Sequence, residues 1–256
     1  MAMPDNDLGQ RTLCIIHGWG FDAQIMAGLA TELSPFWNIR LVDMPGYGHN
    51  HMTKLPQTID NIASNLISAI PPQSTLIGWS LGGMVAIKIA HSMQNKLKAV
   101  ILLASTPCFV RKSDWTHGIE SKLINDMARH VSTNVDEVFQ QFVGLVAKGD
   151  VSPKETVRAL RLLLKTNKAD QRALLQGLHI LANTDLRKEL SELKCRVSIL
   201  YGERDQLVPS SAGKETRKIC PSLQLNYIKE TGHAPFLSKR KETAEAINNC
   251  THDHTL

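Results

Sequence analysis

Three side chains in this chain of 256 residues have the types needed for nucleophilic catalysis, and each stands beside a short apolar run. Ser80 lies in Gly78-Trp79-Ser80-Leu81-Gly82, a G-x-S-x-G pattern within residues 75–86 that reads as a buried strand turning sharply into a helix. In such a turn the serine hydroxyl projects clear of the backbone. The glycines let strand and helix approach closely, and the helix N-terminus offers unpaired N–H groups to a developing oxyanion. Leu81 N–H is the expected first donor, and Trp19 N–H, in the loop His17-Gly18-Trp19-Gly20, the expected second. A serine hydroxyl is a poor nucleophile at neutral pH and needs a base. His233, in Gly232-His233-Ala234-Pro235-Phe236, and Asp205, in Tyr201-Gly202-Glu203-Arg204-Asp205, have the types for base and orienter. Taken singly, Ser80 reads equally as a helix cap, Asp205 as a turn former and His233 as a solvated side chain. Only their joint placement argues for catalysis.

That placement depends on the elements. Residues 12–17, 38–43, 75–79, 99–104, 196–201 and 223–228 are short apolar runs bounded by turn formers, the pattern of strands covered on both faces. Helical spacing appears near 23–33, over 57–70 up to Pro71-Pro72, and over 81–93. From about 110 to 190 no strand-like run occurs, and 135–146, 153–164 and 169–181 carry helical spacing with charged faces. The expected architecture is α/β: a mostly parallel sheet with helices on both faces, built from 1–109 and 191–256, with an inserted helical cap at 110–190. Asp205 and His233 then follow strand ends, where parallel sheets hold their sites.

Composition narrows the function. With 43% hydrophobic and 21% charged residues the chain is able to bury a large core, and its 29 Lys and Arg are mixed with 24 Asp and Glu for a net charge of +5. No dense basic run suggests nucleic acid, and no apolar run approaches a membrane span, so a cytoplasmic protein is expected. Five cysteines without C-x-x-C spacing suggest reduced thiols. Gly46-Tyr47-Gly48 fails as a dinucleotide loop because His51 takes the third glycine's place. Neither His49 with His51 nor His252 with His254 comes with further ligands, so neither a metal nor any other cofactor is expected. Lys154, Arg158, Arg161 and Lys165 repeat at three or four residues and should share one exposed helix face.

Taken together, His17-Gly18-Trp19-Gly20, Gly78-Trp79-Ser80-Leu81-Gly82-Gly83, Ala104-Ser105-Thr106-Pro107-Cys108-Phe109, the Asp205 segment with Leu207-Val208-Pro209, and the His233 segment resemble the α/β-hydrolase family over nearly the whole chain. The chain order Ser80, Asp205, His233 is that family's order. Trp79 and Pro107-Cys108-Phe109 are similar to its branch of carboxylesterases acting on the methyl ester of pimeloyl-acyl carrier protein in biotin synthesis. The resemblance implies Ser80, His233 and Asp205 as a triad, Trp19 and Leu81 as oxyanion donors, and a cap segment from Phe142 to Val146 lining the substrate. It also implies an acyl carrier protein partner, docked on the cap face of Lys154, Arg158 and Arg161. Val146 stands where a glutamine belongs in that branch, and Glu137 and Gln141 where arginines do. Two other readings are a general small-ester hydrolase or acyltransferase of the same fold, and a ligand-binding receptor on a hydrolase scaffold.

Overall fold

The computed structural model describes residues 11–53, 58–167 and 169–251. Strands β1 (Thr12–Ile16), β2 (Asn38–Val42), β3 (Thr75–Trp79), β4 (Ala99–Leu103), β5 (Arg196–Gly202) and β6 (Gln224–Ile228) form one sheet. Its order is β2-β1-β3-β4-β5-β6, and every pairing is parallel. The apolar runs occupy the centre for a physical reason. Strands β3 and β4 are buried at every residue, whereas the edge strands β2 and β6 are half exposed and carry polar residues such as Arg40 and Asn226.

Helices α1 (Ala27–Leu33), α2 (Ile59–Leu66) and α3 (Leu81–Met93) connect the first four strands. Four helices follow β4: α4 (Ser121–Val131), α5 (Val135–Ala147), α6 (Pro153–Thr166) and α7 (Gln171–Asn183). Then come α8 (Arg187–Ser191), α9 (Ala212–Ile219), α10 (Pro235–Ser238) and α11 (Arg240–Thr251).

Several elements differ from the sequence reading. The helix expected over 23–33 begins as a 3-10 turn, Ala23–Met26, capped by Asp22, whose side chain accepts from Gln24 N–H. The stripe over 57–70 is α2, capped by Thr58 and followed by a 3-10 turn at Ile67–Ala69; Gln57 lies outside the described residues. Helix α4 has no counterpart among the expected helices, although Ile124, Met127 and Val131 have the spacing of its buried face.

The topology explains where a site must lie. Chain leaving β1 crosses to β2 on one side, and β3 then pairs with β1 on the other, in the register Ile16 to Gly78. The point where the strand order reverses, at which parallel sheets hold their sites, therefore falls between the loops that follow β1 and β3. Helices α4 to α7 leave and rejoin the sheet at a narrow junction. Cys108 and Asp185 are bridged there, Leu186 N–H donates to Pro107 O at 2.8 Å, and Asp185 receives both Lys112 Nζ (2.9 Å) and Arg187 Nη2 (2.7 Å). Among the described residues no helix is long and apolar enough to cross a membrane. Cys14, Cys108, Cys220 and Cys250 are buried free thiols and Cys195 is half-buried.

Candidate active site

Ser80 is the residue between β3 and α3, and its backbone shows the cost of that sharp turn. Its φ of 55° and ψ of −119° put a non-glycine residue in the left-handed half of conformational space, a strain on the order of 1–3 kcal/mol. Surrounding bonds hold it there. Ser80 N–H donates to Leu103 O (3.0 Å), and Ser80 O accepts from Gly83 N–H (2.9 Å) and Ser105 Oγ (2.6 Å). The pattern's glycines are steric necessities: a Cβ on Gly78 would lie 2.1 Å from Gly82 O, and one on Gly82 2.3 Å from His17 O. Leu81 opens α3, so its N–H has no intrahelical acceptor.

The structure brings His233 and Asp205 to this turn from the ends of β6 and β5. His233 Nε2 is 2.9 Å from Ser80 Oγ, and His233 Nδ1 is 2.8 Å from Asp205 Oδ2. An ionised carboxylate only accepts, so Nδ1 carries the proton and Nε2 is left to accept from the serine hydroxyl. Asp205 is itself aimed, because its Oδ1 accepts Leu207 N–H (2.8 Å) and Val208 N–H (2.9 Å). His233 is held from both backbone sides. Its N–H donates to Val146 O at 3.2 Å, and its carbonyl accepts Trp79 Nε1–H at 2.8 Å. Ser80 is 3% exposed and His233 fully buried, so this is a closed site.

His17, fully buried, organises the second loop. Its Nδ1 lies 2.8 Å from Gly18 O and its Nε2 accepts Met44 N–H at 3.0 Å, which fixes a neutral ring with the proton on Nδ1. Burial is the main influence on the ring and pushes its pKa down, against the smaller raising effects of the Gly18 carbonyl and Asp43. The clamped carbonyl belongs to the peptide that carries Trp19 N–H. In a planar trans peptide the two point opposite ways, so holding Gly18 O aims Trp19 N–H. Asp43 ties the neighbouring loops together, accepting Ala23 N–H (2.7 Å) and His49 N–H (2.9 Å).

The inserted helices close over these loops. Phe142 meets Trp19 edge-on at 4.8 Å between ring centroids, and Val146, buried, acts on the site through its carbonyl. Asn167, at the end of α6, donates through Nδ2 to Gly20 O (2.7 Å), and Trp19 Nε1 donates to Leu174 O of α7 (2.7 Å). Lys154, Arg158, Arg161 and Lys165 lie exposed along α6, opposite buried Thr156 and Leu160. Sequence reasoning overlooked Trp79 as a support of His233, and His17 as a clamp. The signal for His17 was available, since a histidine in a buried run must have partners for both ring nitrogens. His49 and His51 serve separate local bonds, to Asp43 and Gly48 O; His252 and His254 lie outside the described residues. Among the described residues no group of three or more His, Cys, Asp or Glu is placed to hold a metal ion.

Such an arrangement suits acyl transfer through a serine ester, with His233 and Asp205 as a proton relay for Ser80. Comparison with known proteins gives the family. The model of the alpha/beta hydrolase family matches residues 15–246. A pimeloyl-[acyl-carrier protein] methyl ester esterase of Xylella fastidiosa (strain M23) is 35% identical over 240 residues, 93% of each chain. A protein of the same name from Stenotrophomonas maltophilia (strain K279a) is 33% identical over 238 residues, covering 93% of this chain and 91% of its own. Among solved structures, an esterase from Exiguobacterium antarcticum superposes with a TM-score of 0.83 at 20% identity, covering 94% of this chain and 91% of its own. A hydrolase from Oleispira antarctica gives 0.84 at 18%, covering 96% and 92%. At those identities the structural likeness speaks for the fold alone.

Proposed function

The chain belongs to the α/β-hydrolase family, and from that premise we propose that it is a cytoplasmic serine carboxylesterase that hydrolyses the methyl ester of pimeloyl-acyl carrier protein to pimeloyl-acyl carrier protein and methanol in biotin synthesis. The observation that carries the chemistry is the chain of hydrogen bonds Ser80 Oγ, His233, Asp205 at 2.9 and 2.8 Å. Identity of 35% along 93% of the chain to an esterase of that name supports the substrate.

As Ser80 Oγ bonds to the ester carbonyl carbon, its proton passes to His233 Nε2, and Asp205 steadies the imidazolium. The carbonyl oxygen becomes an oxyanion, stabilised by the N–H groups of Trp19 and Leu81 at about 3–4 kcal/mol each. Collapse breaks the bond to methoxide, which leaves as methanol with the proton from His233. Water then gives a proton to His233 and its oxygen to the acyl carbon, and the acid departs as the proton returns to Ser80. Phe142 and the Trp19 ring line the acyl chain's path, and the exposed cations of α6 receive the acidic carrier.

The test is methanol release from the carrier-linked ester by the purified protein, beside Ser80→Ala and His233→Ala. Each substitution should cut kcat by about 10³-fold or more. Turnover of small free esters without turnover of the carrier-linked one would replace the substrate. Labelling of Ser80 by a fluorophosphonate without steady-state turnover of any ester would make the chain a receptor.

A further inference from the structure

Gly177 lies in the middle of α7, where glycine is a weak helix former, so a packing reason is to be sought. The reason is on its inner side. A Cβ at this position would lie 2.6 Å from Trp19 Cδ1 and 3.2 Å from Leu81 Cδ2. Those are the side chains of the two residues whose backbone N–H groups flank Ser80, one from the loop after β1 and one from the start of α3. One turn earlier on the same helix, Leu174 O accepts Trp19 Nε1–H at 2.7 Å. On one face, therefore, α7 presents bare backbone to both residues and a carbonyl to Trp19.

The geometry points to α7 as the template of the oxyanion site, with Gly177 and the Leu174 carbonyl as positioning elements that set the two donor N–H groups. The rings of Phe142 and Phe139, at 4.8 and 5.9 Å from the Trp19 ring, complete its socket from α5. A short shift of either side chain is transmitted to its own backbone, because both are fully packed. An oxyanion donor must sit within about 2.7–3.1 Å of the charge that develops, so shifts of a few tenths of an ångström are felt mainly in the tetrahedral state. The inserted helices thus do part of the work of transition-state recognition, from a position without contact with the attacking atoms. The inference rests on the reading of Ser80 as nucleophile and of Trp19 and Leu81 as donors.

Gly177→Ala tests it, with His179→Ala, two residues on and exposed on the outer side of the same helix, as the control. Both substitutions favour the helix, so only the contact differs. The readouts are kcat and KM for a small free ester, thermal unfolding, and the inhibition constants of an alkyl trifluoromethyl ketone and its methyl ketone counterpart. The fluorinated ketone takes up Ser80 Oγ to give a tetrahedral oxyanion, its proton passing to His233; the methyl ketone binds as a ground state. For Gly177→Ala we expect kcat to fall about tenfold to a hundredfold. Binding of the trifluoromethyl ketone should weaken by the same factor, with KM and methyl ketone binding within about twofold, while His179→Ala behaves as wild type. If Gly177→Ala fails to fold, Phe139→Leu, which loosens the socket of the Trp19 ring from α5, decides by the same split. Equal weakening of both ketones, or an unchanged kcat in the folded variant, overturns the inference. If Ser80→Ala itself keeps its turnover, it is the assignment of the nucleophile that has failed.

Discussion

At Asp205 two roles are divided between two oxygens. Oδ1 is committed to Leu207 and Val208 N–H, so Oδ2 has to accept the His233 proton. Asp205→Asn should therefore keep the loop but turn its NH2 toward His233, forcing the proton onto Nε2, which then cannot accept from Ser80. We expect kcat to drop about 10³- to 10⁴-fold with thermal unfolding little changed; a loss below tenfold would show that Asp205 does not set the tautomer. His17 is a histidine with the opposite need, buried neutral with both nitrogens engaged. Its pKa is lower in the folded chain than in the unfolded one, so between the two values the unfolded state binds the proton more readily. Stability is full above the unfolded value of about 6.5 and is lost as pH falls below it. His17→Asn retains an N–H near Nδ1 but cannot titrate. Its denaturation midpoint should fall less than that of wild type between pH 7.5 and 5.5, and parallel slopes would argue against His17 as a contributor.

Among the elements, the central strands were readable because strands buried on both faces become apolar runs, and β2 and β6 because a half-exposed strand alternates polar with apolar residues; Ser80, Asp205 and His233 were readable because each follows a strand. Trp79 and Gly177 were not. The indole of Trp79 meets His233 O across 154 residues, and Gly177 owes its identity to side chains from two other elements. Neither contact leaves a period in the sequence. Helix α4 escaped because its buried residues are few against a charged remainder, and the 3-10 turn before α1 because Asp22 caps either kind of helix equally well. The junction below the inserted helices is another such long-range device. Burial alone would push the Asp185 carboxyl up, but its bonds to Arg187 and Lys112 outweigh this and hold it well below the usual carboxylate range. Arg187 also binds Asp114 and lies over the Trp115 ring. Arg187→Ala should cost about 1–3 kcal/mol in urea denaturation at pH 7. That difference should shrink as pH falls below about 4, where Asp185 of the unfolded chain takes up its proton. An equal cost at pH 7 and pH 3 would mean that Arg187 acts by packing alone.

For the molecule as a whole, charge is unevenly spent. The net charge is +5, and on α6 four cations share an exposed face, with Arg161 donating to the neutral Gln140 side chain of α5. An acidic carrier approaching this face would be steered chiefly in its association rate, an effect that salt screens within about 8–10 Å. Arg158→Glu with Arg161→Glu should raise KM for the carrier-linked ester severalfold at low ionic strength and leave a small free ester nearly unchanged. If neither the double substitution nor added salt alters carrier-linked hydrolysis, the face is only solvated surface and the small-ester reading gains.

The aromatic wall has an optical consequence. Trp79 lies 5.6 Å from the His233 ring and Trp19 sits on the loop beside Ser80, while Trp37 and Trp115 bond elsewhere, to Asn248 and Cys108. An imidazolium quenches a neighbouring indole, so each passage of a proton onto His233 should dim the emission of Trp79, whose ring meets it, and leave that of Trp37 and Trp115 constant. A chain carrying Trp37→Phe and Trp115→Phe would then report its own catalytic cycle in stopped-flow fluorescence, without a label and with any ester as substrate.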